Sequence, residues 1–310
     1  MKLAVSAWSF HELLYAGRLR QADVPAEVAA LGFRHVELLE MFLWRKPTGT
    51  IQRAWRRMNS VLRRGGTDHM PSLSPPSPLP LPNLGEEGGT ERGRQGPTVD
   101  YSRDTLNELR GARLRAGTQL VCWAVDTDLT ISDADTRRAQ LAHIATAIEA
   151  ARFLGAPLLR ITTGGKEGDS PAVGQTVDTL RSVLPAAMAG GVKLAIENHF
   201  GLSADPHALV EMVTALNSPH VGVCLDLGNF REGEADEGIR LLAPHAVHVH
   251  AKSYSFDADG EESRINYGAA LGTLRAAGYD GVLSIEFEGD GSPADGIRKT
   301  KALIERYWNG

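Results

Sequence analysis

Short apolar runs of this chain end in side chains that can bind metals or move protons. Glu197, Asp226 and Glu286 each end such a run, and His250 lies in the run Val-His-Val-His-Ala. A single carboxylate at such a position is usually a solvated residue or the cap of the next helix. Four such side chains that converge on one place are different, because buried carboxylates repel one another and are costly to desolvate. A divalent cation relieves that repulsion, so the pattern predicts a metal site.

The donor atoms of this set limit the metal without selecting one. Three carboxylates and one imidazole suit Mn, Mg, Co or Zn, and we expect one divalent metal ion. The two cysteines, Cys122 and Cys224, fall in separate apolar runs. We predict that they are buried thiols and form neither a disulfide nor a metal-binding pair. The pattern places no thiolate beside the four residues, which argues against a structural zinc site.

The elements that position these residues follow from an alternation of short β-rich runs with helical patterns. Eight strands are predicted, at 2–7, 35–39, 119–125, 157–162, 192–197, 221–225, 246–251 and 281–287. Such alternation indicates βα units and a parallel sheet. In the alternative, an open doubly wound sheet, a Gly-rich phosphate loop would usually follow the first strand, where this chain has Trp8-Ser9-Phe10-His11. We therefore predict an α/β protein whose residues 1–310 form a single (β/α)8 TIM barrel.

One stretch, residues 45–100, interrupts the alternation of strand and helix patterns. Its first part, 45–64, holds seven Lys or Arg residues and no acidic residue, and 71–97 holds seven of the sixteen prolines. Such a composition buries too little apolar area to offset the chain entropy lost on folding. We predict a disordered, low-complexity insertion after the second strand, with the helix of that unit resuming near 102–114.

Bulk composition argues against several classes of protein. The chain has 310 residues, of which 23% are charged, and a formal net charge of −5. A nucleic-acid-binding protein usually carries a basic domain or face, so we expect no nucleic-acid partner. The chain lacks the ~18 consecutive apolar residues of a membrane span, and its first apolar run meets polar residues too early for a signal peptide. We expect a cytoplasmic protein without a membrane partner.

The site segments, taken in order, resemble those of a known family. They read Ala-Ile-Glu-Asn-His at 195–199, Cys-Leu-Asp-Leu-Gly-Asn at 224–229, His-Val-His-Ala-Lys at 248–252 and Ser-Ile-Glu-Phe-Glu at 284–288. Together with the opening SAWSF and the GFRHVEL of 32–38, they are similar to the xylose isomerase-like barrels. This superfamily includes sugar and sugar-phosphate isomerases and epimerases, inosose dehydratases and the endonuclease IV enzymes. The resemblance covers 1–44 and about 101–310.

The resemblance implies metal ligands and catalytic roles. By position, the metal ligands of the family correspond to Glu197, Asp226, His250 and Glu286, and Glu197 and Glu286 form an acid–base pair. Such a pair takes a proton from the carbon next to a carbonyl and returns it elsewhere or to the other face, through an enediolate that the metal stabilises. The expected function is a metal-dependent isomerase or epimerase of a small sugar, sugar phosphate or related hydroxy-carbonyl compound. The family also implies a homodimer.

Further side chains are candidates for contacts with a sugar-like substrate. They are Trp8 after the first strand, Arg160 at the end of the fourth, His199 after Glu197, and Lys252, which shares a strand face with His250. A Trp at the position of Trp8 is more often a core residue. His248, deeper in its strand, is better explained as a hydrogen-bonded core histidine. Glu37 is either a substrate contact or a member of a buried ion pair.

Other functions stay open. A lyase such as an inosose dehydratase would use the same metal site and the same first proton abstraction. A phosphodiester hydrolase like endonuclease IV would need further histidine ligands, and the position three residues after Asp226 is Asn229. A non-catalytic sugar- or metal-binding barrel is the last alternative. Many relatives carry Asp directly after the seventh-strand Lys, where this chain has Ser253, which weakens the assignment of Lys252.

Overall fold

The computed structural model describes residues 1–43 and 99–308, and its strands close into one barrel. The strands are β1 (Lys2–Ser6), β2 (His35–Leu39), β3 (Gln119–Ala124), β4 (Leu158–Ile161), β5 (Lys193–Glu197), β6 (Val221–Asp226), β7 (Ala246–Ser253) and β8 (Val282–Phe287). Each strand pairs in parallel with the next, and β8 pairs with β1. The predicted (β/α)8 barrel is confirmed, and the open doubly wound sheet is excluded.

Helices cover the outside of the barrel. Those of the described residues are α1 (His11–Tyr15), α2 (Val24–Ala30), α3 (Arg103–Ala116), α4 (Ala134–Leu154), α5 (Ser170–Ala189), α6 (Pro206–Leu216), α7 (Ala235–Leu242), α8 (Tyr267–Ala276) and α9 (Pro293–Trp308). Local signals fix their ends. At the start of α4, the Asp133 carboxylate accepts a hydrogen bond from the Thr136 N–H, and at its end Gly155 takes a φ of 79°. The chain can therefore turn directly from α4 into β4.

Two strand boundaries differ from the sequence prediction in a way that matters for function. β6 ends at Asp226, one residue later than predicted, and β7 continues to Ser253, two residues later. The extension of β7 arises because Lys252 and Ser253 keep pairing with Glu286 and Phe287 of β8. The backbones of Asp226 and Lys252 are therefore held in the sheet and not in loops.

The predicted insertion at 45–100 lies, apart from its last two residues, outside the described residues. At its edges, the Asp100 N–H donates a hydrogen bond of 3.2 Å to the Leu43 carbonyl. Beside this junction, the buried Glu40 carboxylate accepts hydrogen bonds from the Tyr101 hydroxyl and from His143 Nε2, the latter at 3.1 Å. These contacts tie the chain after β2 to α4.

The main hydrophobic core lies between the strands and the helices, and side chains such as Trp123, Ile148 and Leu194 are fully buried in it. A smaller cluster, which we call the barrel floor, consists of Ala4, Val121, Cys122, Leu158, Val247 and Val282. Cys122 and Cys224 are buried free thiols, as predicted. Within the described ranges, no helix is both long and apolar enough to cross a membrane.

The pairing register shifts at two places in the barrel wall. Between β6 and β7, Val223 pairs with Ala246 but Cys224 pairs with His248, so Val247 is an extra residue on β7. Gly222 makes room for this bulge, because a Cβ there would lie 2.4 Å from Val247 Cγ1. The second shift, between β2 and β3, lies directly before Glu37. Bulges of this kind re-aim side chains beside functional sites.

Candidate functional site

Three carboxylates surround one nitrogen of a buried imidazole. Nδ1 of His250 lies 2.9 Å from Glu197 Oε1, 3.6 Å from Glu286 Oε2 and 3.7 Å from Asp226 Oδ2. Four consecutive strands, β5 to β8, supply one group each, and all four side chains are buried. The structure thus brings together the four residues that the sequence singles out.

The other edge of the His250 ring faces deeper into the barrel. Its Nε2 lies 3.0 Å from Glu37 Oε1, and the second oxygen of Glu37 lies 2.9 Å from His248 Nε2. The side chains of Glu37 and His248 are fully buried. Of the two explanations of Glu37, the structure favours the buried one, since its carboxylate contacts two imidazoles, and His248 is the hydrogen-bonded core histidine that we expect.

One thiol lies closer to the site than the sequence pattern indicates. The pattern places no thiolate beside the four residues, and Cys224 Sγ lies 3.5 Å from His250 Nε2. The reason is that Cys224 is on β6, the strand beside β7, two residues before Asp226, so both side chains lie on one face of that strand. Burial raises the pKa of the Cys224 thiol to about 12, so the thiol is neutral in this setting.

Two buried cationic side chains, Lys252 and Arg160, form ion pairs with the carboxylates. Lys252 Nζ lies 2.9 Å from Asp226 Oδ2, 3.3 Å from Glu286 Oε2 and 3.6 Å from Glu288 Oε2. Arg160 Nε lies 3.3 Å from Glu197 Oε2, and its Nη1 lies 2.6 Å from Asp126 Oδ1. We call the buried set of Glu37, Arg160, Glu197, Asp226, His248, His250, Lys252 and Glu286 the polar cluster.

The cations and the burial act on the pKa values in opposite directions. Burial alone would raise the pKa of Glu197, but the Arg160 guanidinium and the neighbouring imidazoles hold it far below its usual range. The pKa of Asp226 is likewise lowered, because the Lys252 ammonium outweighs burial. For Lys252, burial favours the neutral amine, yet the surrounding carboxylates raise its pKa well above the ordinary value. These groups are charged at neutral pH.

Glu286 behaves differently from the other carboxyl groups. Burial, reinforced by the neighbouring Asp226 and Glu37 carboxylates, raises the pKa of Glu286 from 4.5 to about 7, although His250 and Lys252 act in the opposite direction. Glu197 and Glu286 thus share one nitrogen of His250 as a neighbour but have pKa values far apart. Two carboxyl groups with unequal environments are the usual basis of separate acid and base roles.

A divalent cation fits this arrangement. Glu197, Asp226 and His250 each offer a ligand atom within 4.8 Å of the others, and Glu37, His250 and Glu286 form a second such group. Among the described residues, the buried oxygens Glu197 Oε2 and Asp226 Oδ2 accept no hydrogen bond of good geometry, although the cations Arg160 and Lys252 lie beside them. The polar cluster holds four carboxyl groups but only two permanent cations, Arg160 and Lys252. One divalent ion would stabilise all four in their ionised form and give both oxygens a further partner.

The predicted substrate contacts fall into two groups. Arg160 and Lys252 belong to the polar cluster, where both make ion pairs with its carboxylates. Trp8 and His199 lie outside it, in the segments that follow β1 and β5. The Trp8 ring stacks on His11 with 4.8 Å between ring centroids and 16° between the planes. His199 is partly exposed and its ring contacts Phe200.

Sequence reasoning missed the residue that fixes Asp226. The Asn198 side chain donates to the Asp226 carbonyl at 2.9 Å and accepts from the Asp226 N–H at 2.7 Å. The Gly228 N–H donates to Asp226 Oδ1 at 2.7 Å, which leaves Oδ2 facing Lys252 and His250. The only sequence signal for Asn198 is its place directly after Glu197. Nothing in the sequence pairs its side chain with the backbone of β6.

Comparison with known proteins identifies the family. The model of the xylose isomerase-like TIM barrel family matches residues 88–307, so the chain belongs to this family, as the site segments predict. A curated relative, the uncharacterized protein MJ1311 of Methanocaldococcus jannaschii, is 29% identical over 141 residues. That match covers 42% of this chain and 47% of the relative, so it spans about half the length of that protein.

Solved structures of the same architecture extend over the whole chain. A D-tagatose 3-epimerase-like protein aligns with a TM-score of 0.65 at 19% identity, covering 100% of this chain and 97% of the other. The IolI protein, solved with a bound zinc atom, aligns with a TM-score of 0.66 at 15% identity and covers 100% of both chains. At these identities the likeness shows the fold.

Proposed function

We propose that this protein is a divalent-metal-dependent isomerase or epimerase of a small sugar, sugar phosphate or related hydroxy-carbonyl compound. The observation that carries the proposal is the convergence of Glu197, Asp226 and Glu286 on Nδ1 of His250. Membership of the xylose isomerase-like family supports it, as does the likeness to an epimerase-like protein and to a zinc-bound protein.

The proposed ligands are Glu197, Asp226, His250 and Glu286, which would hold one ion of Mn, Mg, Co or Zn. When bound, the ion would supply positive charge next to the substrate oxygen on which negative charge develops. The Asn198 and Gly228 hydrogen bonds fix the orientation of Asp226. Lys252 and Arg160 hold Asp226, Glu286 and Glu197 in place through their ion pairs.

Glu197 and Glu286 are the proposed acid–base pair. They come from β5 and β8, three strands apart around the barrel, so a substrate between them meets a carboxyl group from each side. One glutamate takes the proton from the carbon next to the carbonyl, and the other exchanges a proton at the second position.

Four side chains are proposed to contact the substrate. Lys252 and Arg160 carry donors that remain charged at neutral pH and suit hydroxyl or carbonyl oxygens. His199 follows β5 by two residues, and Trp8 follows β1 with a ring that suits an apolar sugar face. Each of these four contacts is testable by substitution, with an expected rise in KM.

The test is proton exchange in heavy water. Chelator-treated protein is reloaded separately with Mn²⁺, Mg²⁺, Co²⁺ or Zn²⁺ and incubated in D₂O with ketoses, their phosphates and cyclitol ketones. Proton NMR is expected to show a new isomer or epimer that carries deuterium at the carbon next to the carbonyl. Formation of a dehydrated product instead would show a lyase, and absence of exchange with every cation and substrate would contradict the proposal.

Two substitutions probe the acid–base pair. Glu197→Gln and Glu286→Gln are each expected to lower turnover by roughly 10²–10⁴-fold, because each removes a group that transfers a proton. Glu40→Gln is the matched control, since Glu40 is a buried carboxylate with an imidazole partner outside the polar cluster. Full turnover in either active-site variant would overturn the assignment.

A further inference from the structure

Glu37 holds two imidazoles at once from the centre of the barrel. Its Oε1 lies 3.0 Å from His250 Nε2, and its Oε2 lies 2.9 Å from His248 Nε2. All three side chains are fully buried, so water does not compete for these hydrogen bonds. The alternation of β7 places both imidazoles on the face that meets Glu37.

The chemistry of a carboxylate decides which ring nitrogens carry protons. An ionised Glu37 only accepts hydrogen bonds, so each imidazole must donate from Nε2. In a neutral imidazole the proton on Nε2 leaves the lone pair on Nδ1. For His248, Nδ1 is a buried atom without a hydrogen-bond partner among the described residues, which agrees with an Nε2-protonated ring. For His250, Nδ1 is the atom that the three carboxylates surround.

We propose that Glu37 is a positioning residue that fixes the Nε2–H tautomer of His250 and so presents Nδ1 as the metal ligand, with His248 holding the second oxygen of Glu37 in place. The inference rests on the proposed function for the identity of the bound group. A carboxylate that accepts a hydrogen bond from a metal-binding imidazole fixes its ring and increases its basicity. Glu37 lies on the side of the His250 ring opposite Glu197, which is the place such a partner must occupy.

Glu37→Gln is the sharpest variant because it keeps the size of the side chain and removes one acceptor. The carboxamide oxygen can accept from one imidazole, but its NH₂ group then faces the other, which must offer a lone pair on Nε2. If the NH₂ group faces His250, that ring must shift its proton to Nδ1, where the cation would bind. If the NH₂ group faces His248, His250 keeps only a neutral amide oxygen as acceptor, which increases the basicity of Nδ1 less than a carboxylate does. We expect chelator-treated Glu37→Gln to bind Zn²⁺ about 10–100-fold more weakly than the wild type in isothermal titration calorimetry.

Glu40→Gln provides the matched control for this measurement. Glu40 is buried, accepts a hydrogen bond from the imidazole of His143 and lies three residues after Glu37. A role that is only structural would lower the stability of both variants and leave the Zn²⁺ affinity of the folded protein unchanged. Wild-type affinity in Glu37→Gln would therefore overturn the inference, as would an equal loss of affinity in Glu40→Gln.

Histidine NMR separates this inference from the proposed function. In protein with ¹⁵N-labelled histidine, two protected Nε2–H resonances, assigned with His248→Phe and with His250→Phe, are expected in the wild type and in Glu40→Gln. At least one of them should be lost in Glu37→Gln. If the wild type bound no Zn²⁺, the proposed function would fail, while these resonances in the metal-free protein would still support the hydrogen bonds from both Nε2 atoms to Glu37. Unchanged resonances in Glu37→Gln would contradict those hydrogen bonds.

Discussion

The barrel floor and the polar cluster occupy the interior of one barrel, yet they contribute to it in opposite ways. On β4, Leu158 belongs to the floor and Arg160 to the cluster, although they are two residues apart. The floor stabilises the fold by removing apolar surface from water. The cluster buries charges whose desolvation offsets much of their mutual attraction. Stability therefore explains the floor, whereas the proposed metal site explains why the cluster is buried.

The largest expected effect comes from removing two proposed ligands together. Asp226→Ala/His250→Ala deletes the imidazole and a carboxylate that lies 3.7 Å from it. We expect the bound cation of the purified protein to be lost, because the remaining carboxylates keep no nitrogen donor and less negative charge. Elemental analysis of wild type and variant by plasma mass spectrometry measures it, with circular dichroism as the check on folding. A folded variant with undiminished metal content would show that the cluster is not the metal site.

A substitution in the floor should lower the stability of the protein and leave its metal affinity unchanged. Leu158→Ala removes a buried side chain and is expected to lower the free energy of unfolding by about 2–5 kcal/mol, through lost burial and the cavity left behind. Urea unfolding measures this loss. The Zn²⁺ affinity of the folded variant should equal that of the wild type. A marked loss of affinity in Leu158→Ala would mean that floor and cluster are not separable.

The strands and most members of the polar cluster could be predicted from the sequence. Parallel strands covered on both sides read as nearly continuous apolar runs, so all eight strands could be placed. Chemistry in such barrels lies at the carboxyl ends of the strands, so Glu197, Asp226 and Glu286 stood out as the polar residues that end those runs. The alternation of β7 likewise placed His248, His250 and Lys252 on one face.

The rest depends on contacts between strands, which a sequence pattern does not contain. Val247 is an extra residue only because of how β7 pairs with β6. Cys224 contacts His250, and Asn198 hydrogen-bonds to Asp226. Both contacts join residues more than twenty positions apart in the sequence. The pairing of β5, β6 and β7 decides these contacts. The burial that raises the pKa of Glu286 likewise exists only in the closed barrel.

A pH experiment tests whether the pKa of Glu286 differs from the pKa values of the other carboxyl groups in the cluster. The pKa of Glu286 rises from 4.5 to about 7 on folding, chiefly through burial, so the folded metal-free protein binds this proton more tightly than the unfolded chain. Stability from this group is complete below pH 4.5 and is lost as the pH rises through about 7. Relative to the wild type, Glu286→Gln should therefore gain about 3 kcal/mol over that interval.

Urea unfolding of both chelator-treated proteins at a series of pH values measures this gain. The comparison uses the difference between the two proteins, which cancels the titration of shared groups that do not interact with Glu286. Saturation with Zn²⁺ should remove the effect, because a bound cation favours the ionised carboxylate. A difference between the proteins that does not change with pH would contradict the raised pKa.

The smallest expected effect tests whether the bulge of β7 connects the two regions. Gly222→Ala places a Cβ 2.4 Å from Cγ1 of Val247, a floor residue directly before His248. The bulge must shift, which should cost about 1–3 kcal/mol of unfolding free energy and weaken Zn²⁺ binding through displaced imidazoles. Gly272→Ala is the control, because its Cβ would meet nothing within 4 Å and helix α8 should gain about 0.4–1 kcal/mol. Thermal unfolding and zinc titration of both variants test this connection. Unchanged Zn²⁺ affinity in a destabilised Gly222→Ala would show that the bulge supports the floor alone.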